Sequence, residues 1–235
     1  MRFTTFTNKG SRENNTDAVL RIIDGDACAF IVVDGGEFCG DIASSVIIDA
    51  IQTELKSGIK VSDALIKKCI RTASERIKEK CVENDGFKKV RASCAMLITD
   101  GRKVIWGHIG NCRIYRLKGG KIKELTNDHT SAYKEFAEKK ISFSEIAQKD
   151  EWPPLVSICY DNDLDADVSK AKSLFFEYSF ILCSDGFWKN ISGDELEQST
   201  KMYENTKVCL CKMIDRIEAK CGDECDSVSA IMVNM

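Results

Sequence analysis

Histidine and proline are nearly missing from these 235 residues, with two of each. Two histidines, His108 and His129, are too few to build a zinc centre alone. The 12 cysteines do not make up the deficit, because no Cys-x-x-Cys pair occurs and Cys221 with Cys225 has no matching pair elsewhere. Cys28, Cys94, Cys112, Cys159 and Cys183 lie in apolar, strand-like runs, and Cys69, Cys81, Cys209 and Cys211 in helical patterns. They are expected as reduced core residues of a cytoplasmic protein. No apolar run approaches the roughly 18 residues that a membrane-spanning helix needs. Residues 1–6 lack the apolar segment and cleavage site of a secretory signal. Neither sign of charge dominates, with 34 basic against 37 acidic residues and a formal charge of −3. That balance carries no footprint of a nucleic-acid or anionic-membrane partner. Low-complexity linkers and internal repeats are also lacking, so residues 1–235 are expected to form a single domain, with monomer as the default state.

What the chain does have is aspartate at the ends of apolar runs. Ala29-Phe30-Ile31-Val32-Val33 stops on Asp34-Gly35-Gly36, and Phe180-Ile181-Leu182-Cys183 stops on Ser184-Asp185-Gly186. Asp226 precedes a third run, Val228 to Val233. Runs without alternation are expected as strands buried on both faces, able to deliver their carboxylates rigidly to one acidic pocket.

Around these runs the period changes in blocks. Residues 3–7, 18–23 and 28–33 have strand character, the last two flanking the hairpin signal Asp24-Gly25-Asp26. Ala43, Ile47, Ala50, Ile51 and Leu55 recur at helical spacing, and Ser62 is placed to cap a second helix striped by Ile66, Ile70, Ala73, Ile77 and Cys81. Strand patterns return at 93–99, 104–109, 113–117, 174–178 and 180–183. Ser192 and Glu195 form a capping-box signature. The following helix is expected to bury Val208, Cys211, Ile214 and Ile217. Residues 128–170, polar and holding both prolines (Pro153 and Pro154), read as a flap-like insert. Its acidic run 161–167 lacks the glycine and terminal glutamate of a calcium loop, so a solvated loop is expected. The order predicts an α+β fold, with β-sheets packed together and helix pairs outside.

Clustered carboxylates with almost no histidine or usable thiol ligands select for hard cations, Mg²⁺ or Mn²⁺. Two such ions about 4 Å apart activate a water toward phosphorus, and a nearby arginine clamps phosphate oxygens. Arg12 is the candidate.

Six segments then resemble, in order, the motifs of the metal-dependent type-2C protein serine/threonine phosphatases. They are Arg12-Glu13-Asn14-Asn15-Thr16-Asp17, Phe30 to Gly35, Gly107 to Arg113, Leu125-Thr126-Asn127-Asp128-His129, Leu182 to Trp188, and Asp226 to Ser229. The resemblance covers nearly the whole chain. It implies a four-layer αββα sandwich of two antiparallel sheets with helix pairs outside and two Mn²⁺ or Mg²⁺ ions at one edge. By position, Asp34 would bridge both metals and the Gly35 carbonyl would ligate one. Asp185 and Asp226 would hold the other, Asp17 would act through metal-bound water, and Arg12 would bind substrate phosphate. The implied reaction is hydrolysis of phosphoserine or phosphothreonine in a phosphorylated protein substrate, by direct attack of a metal-bound hydroxide in a cytoplasmic signalling enzyme.

The chain also departs from the family pattern. Thr16 stands where an acidic residue often precedes the aspartate. Asn111 replaces an aspartate that helps hold a third metal in relatives, so that position is expected to be lost. The loop after Gly35 is short and leaves Glu37 and Asp41 as its carboxylates. These departures motivate an alternative, a degenerate phosphatase that binds phosphoproteins without turnover. An aspartyl-phosphatase mechanism is disfavoured because Gly36, not aspartate, stands two residues after Asp34. His108 is expected to be structural, as are Phe187 and Trp188 in the core, and His129 is expected as a hydrogen-bonded structural histidine with protonation of the leaving group as the alternative.

Overall fold

The computed structural model describes residues 1–146, 154–161, 166–174 and 178–235. Pro153, the middle of the acidic run (162–165) and residues 175–177 of the expected strand 174–178 lie outside the described residues.

Two sheets form the centre, and every described strand pair is antiparallel. One joins β1 (Arg2–Asn8), β11 (Val228–Asn234), β10 (Ser179–Cys183), β6 (Arg113–Lys118) and β7 (Lys121–Glu124) in that order. The other joins β2 (Asp17–Asp24), β3 (Ala27–Asp34), β4 (Ser93–Thr99), β5 (Lys103–Ile109) and β8 (Asp167–Val168), with β9 (Lys172–Ser173) also on β5. Helices α1 (Gly40–Leu55) and α2 (Asp63–Glu83) cover the second sheet. The single turn α5 (Asp185–Trp188), α6 (Gly193–Met202) and α7 (Thr206–Cys221) lie on the first. Short helices α3 (Ser131–Ala137) and α4 (Phe143–Ile146) follow β7. The result is the αββα sandwich that the sequence implied.

The reason is visible in β3, whose residues from Cys28 on are buried. Ala29, Ile31 and Val33 face α1 and α2, packing with Ile47, Ile51, Ile66, Ile70 and Ile77. Phe30 and Val32 face the opposite sheet, meeting Ile114, Phe180, Leu182, Ile231 and Val233. A strand covered on both sides has no polar face, which is why its sequence does not alternate. Ser62 caps α2 by accepting from the Leu65 N–H at 3.3 Å, and the Ser192–Glu195 capping box forms at the start of α6.

One expectation is corrected. Helix α7 exposes Val208 and Cys211 and buries Cys209, Leu210, Met213, Ile214 and Ile217. Its start is fixed by Asn205, whose side chain accepts from the N–H groups of Lys207 and Val208; counting by three and four from Thr206 then selects 209, 210, 213, 214 and 217. Of the strand expected over 174–178, the described Leu174 and Tyr178 pack into the intersheet core, and the pairing of Lys172–Ser173 with β5 precedes them. The described parts of the 128–170 insert join both outer layers. Ala132 and Ile146 pack with α5 to α7, while Ile158 bridges to Ala92 under α2.

Candidate active site

Four segments converge at one edge of the sandwich. Strand β3 ends on Asp34, β10 ends one residue before Ser184-Asp185, β2 begins with Asp17, and Asp226 lies two residues before β11. Asp17 and Asp34 are direct cross-strand partners. Gly186 lets the turn after Asp185 lie against the neighbouring chain, because a Cβ there would run into the Ser227 carbonyl oxygen.

Asp34, Asp185 and Asp17 are all buried. The charge of Asp185 acts directly on Asp34. Burial, followed by the charges of Asp185 and Asp17, pushes Asp34 well above the carboxylate range, against the Gly36 N–H that its Oδ1 accepts at 2.8 Å. Burial would raise Asp185 as well, but it is held below its usual value by the Lys189 ammonium, 3.0 Å from Oδ2, and by the hydrogen bond from Asn111. Burial also pushes Asp17 up to about 7, opposed by the Ser184 hydroxyl, which donates to its Oδ2 at 2.7 Å. Three carboxyl groups crowded out of water, with the charge of Asp185 raising the other two, are an all-oxygen donor set. Such a set suits a hard divalent cation.

Asp226 lies at the rim of this cluster, close enough for its charge to raise Asp17 and Asp34. Its side chain is 39% exposed, and both of its oxygens are taken by Arg12. The acidic pocket expected from sequence thus brings Asp34, Asp185 and Asp17 together and leaves Asp226 facing the candidate phosphate ligand. The Gly35 N–H donates to the Thr16 carbonyl at 2.9 Å, tying the start of the loop after β3 to β2.

The departing residues have visible occupations. The Thr16 hydroxyl donates to Ser227 Oγ at 3.1 Å, joining the two sheets. Asn111 turns its amide into the site, donating to Asp185 Oδ2 at 3.1 Å while its Oδ1 accepts from Ser93 at 2.8 Å. A donor at that position opposes a cation rather than holding one. Asp41 sits in the first turn of α1 and accepts from Asn14 at 3.0 Å, and Glu37 is exposed.

Sequence reasoning missed Lys189 and Ser184. Lys189 follows Asp185 by four positions, one helical turn, and that spacing was its signal. Ser184 had none, because its partner lies 167 residues away.

The other motif residues are structural. Arg113 is buried and forks onto Asp128, with Nη2 donating to Oδ2 at 2.6 Å and Nε to Oδ1 at 2.9 Å, and it stacks 3.4 Å over the Trp188 ring. His108 Nε2 donates to the Asn127 carbonyl at 2.8 Å. Among the described residues, His108, His129 and Asp167 are the set of three whose ligand atoms lie within 4.8 Å of one another. His129 Nδ1 accepts from the Gly110 N–H at 3.2 Å, so Nε2 carries the ring proton, toward Asp167 Oδ2 at 3.5 Å. That tautomer offers no lone pair to a metal. None of the described helices is long and apolar enough to cross a membrane.

Solved structures share this architecture. The serine/threonine phosphatase Stp1 from Staphylococcus aureus is 17% identical with a TM-score of 0.89, covering 99% of this chain and 94% of its own. The Mycobacterium tuberculosis serine/threonine phosphatase PstP/Ppp is 19% identical with a TM-score of 0.84, covering 100% and 98%. The catalytic domain of the serine/threonine protein phosphatase PstP in complex with two manganese ions is 18% identical with a TM-score of 0.84, covering 99% and 97%. At these identities the likeness establishes the fold. No curated protein sequence matches the chain. The family model described as protein phosphatase 2C matches residues 8–220, from the end of β1 to the last turn of α7. The chain belongs to the protein phosphatase 2C family of serine/threonine phosphatases.

Proposed function

We propose that the chain hydrolyses phosphoserine and phosphothreonine in phosphorylated proteins, using two Mn²⁺ or Mg²⁺ ions held by the acidic cluster. The observation that carries this reading is the convergence of buried Asp17, Asp34 and Asp185 at one edge of the sandwich, three carboxyl groups brought together from strands of both sheets. Retaining such a cluster costs stability unless a cation compensates it.

When bound, divalent ions supply positive charge for the phosphoryl oxygens and lower the pKa of water. Asp34 and the Gly35 carbonyl would hold one ion, and Asp34, Asp185 and Asp226 the other. Lys189 and Asn111 fix Asp185 Oδ2, leaving Oδ1 as its ligating atom. Asp17, oriented by the Ser184 hydroxyl, would act through metal-bound water. Arg12, on the rim, would present its guanidinium fork to the phosphate of the substrate once it leaves Asp226.

The test is release of inorganic phosphate from a phosphothreonine peptide at millimolar Mn²⁺. Asp34→Asn and Asp185→Asn are expected to lower the rate by at least about a hundredfold, the scale on which loss of a central electrostatic group acts, with unchanged circular dichroism. A wild-type protein that binds metal and the peptide yet releases no phosphate would instead support the binding-module reading, which the Asn111 amide at Asp185 favours.

A further inference from the structure

Arg12 and Asp226 hold each other. Arg12 Nη2 donates to Asp226 Oδ2 at 2.9 Å and Nε donates to Oδ1, which also accepts the Ser227 N–H at 2.6 Å. The side chains are 35% and 39% exposed, at the mouth of the acidic cluster. Under the proposed function each has another task, Asp226 on a divalent ion and Arg12 on the phosphate. The tasks compete with the contact. Arg12 and the Ser227 N–H take both lone pairs of Asp226 Oδ1 and one of Oδ2, and Asp226 takes the Nε–Nη2 edge of Arg12, so a cation drawing on Asp226 or a phosphate drawing on that edge works against the pair.

We propose that the Arg12–Asp226 pair is a clasp that couples cation and phosphate binding: a divalent ion that captures Asp226 releases Arg12, and the released guanidinium takes the phosphoryl group. The inference rests on the proposed function and adds an order of events to it.

The surrounding backbone decides how the clasp opens. The Ser11 N–H donates to the Cys225 carbonyl at 2.7 Å, and the Cys225 N–H donates to Ser11 Oγ at 2.9 Å. Gly10, at φ 59°, lies so close to the Asp226 carbonyl that any Cβ would collide with it. The two loops are stitched together behind the pair, so the exchange is a rotation of two half-exposed side chains with the loops left in place. Lys189 is a different kind of cation in the site: it contacts Asp185 at Oδ2, the oxygen that Asn111 also bonds. Linkage makes the coupling reciprocal. Whatever factor the cation adds to phosphate affinity, phosphate adds to cation affinity.

Mg²⁺ titrations of the full chain by calorimetry, with and without inorganic phosphate, test this without reference to turnover. Arg12→Gln is expected to bind Mg²⁺ about fivefold or more tightly than wild type when phosphate is absent, within the usual range of coupling between sites. Arg12→Lys keeps the charge but not the two-pronged contact, so tightening there too separates release of Asp226 from simple loss of repulsion. In wild type, the Arg12 Nε–Hε resonance, identified by its disappearance in Arg12→Gln, is expected to shift along the Mg²⁺ isotherm. Equal Mg²⁺ affinity in wild type and Arg12→Gln, or tightening in Arg12→Gln with none in Arg12→Lys, overturns the clasp. If either comes with weakened binding in Asp226→Asn, the metal site stands and only the clasp falls. Unchanged Mg²⁺ binding in Asp226→Asn removes Asp226 as a ligand, and the clasp with it.

Discussion

Arg113 shows how a motif residue earns its place without touching a substrate. It sits between two carboxylates, bidentate to Asp128 and with Nε 3.4 Å from Glu124 Oε1. One buried cation balances one buried anion, and Asp128 has the better geometry. Glu124 is therefore the group that stays neutral. Burial pushes it up to about 7, against the pull of Arg113, and Asp128 adds to the rise. The folded protein thus holds a proton on Glu124 to near pH 7, whereas the unfolded chain releases it around 4.5. Between those values the folded state binds the extra proton, so the stability it confers is present at low pH and lost as pH rises through the window. Glu124→Gln is expected to remove on the order of 1–3 kcal/mol of the decline in unfolding free energy between pH 5 and 8, read by urea denaturation at each pH. An identical pH slope in the variant would contradict this assignment. Part of the picture at this scale was legible in the chain. Asp34 and Asp185 were marked by the apolar runs they terminate, and Arg12 by its motif. The Arg12–Asp226 pairing was not, because 214 residues separate the partners and each had a separate function to suggest.

At the scale of elements, legibility followed the strength of the periodic signal. Strand β3 and helices α1 and α2 announce themselves because their apolar positions admit one period. Strand β7 has a single apolar residue, Ile122, among Lys121, Lys123 and Glu124, and it forms because β6 pairs with it and the Ile122 N–H donates to Glu197 at 3.0 Å. Helix α7 carries more apolar residues than one face holds, so the sequence admitted two stripes. The Asn205 cap and the sheet beneath chose between them. The choice has a measurable consequence. Leu210→Ala is expected to cost about 2–5 kcal/mol, the range for a truncated core leucine. Val208→Ser, on the exposed face, is expected to stay within about 0.5 kcal/mol of wild type. Chemical denaturation of both variants checks the register, and reversed magnitudes would restore the stripe that the sequence suggested.

At the scale of the whole molecule, the site is a seam between the sheets. Asp17 and Asp34 come from the edge-to-centre strands of one, Asp185 and Asp226 from the turns flanking β10 and β11 of the other. Thr16 with Ser227, and Ser184 with Asp17, already bond across this seam. A cation shared there would add a tie between layers that the sandwich otherwise joins through the apolar contacts of Phe30, Val32, Phe180 and Ile231. The fold was legible in sequence because its layers are coded locally. The seam was legible only in part, because its charge balance depends on Lys189, Asn111 and Arg12 meeting carboxylates from distant strands.

The central claim is that these carboxylates meet in order to hold divalent ions. It is tested most directly by calorimetric titration of Mn²⁺ into wild type, Asp34→Asn and Asp185→Asn, each confirmed folded by circular dichroism. The account predicts saturable binding in wild type and a loss of affinity of at least about tenfold, or roughly 1.4 kcal/mol, in each variant. Equal Mn²⁺ binding by all three proteins, or none by wild type, would contradict it.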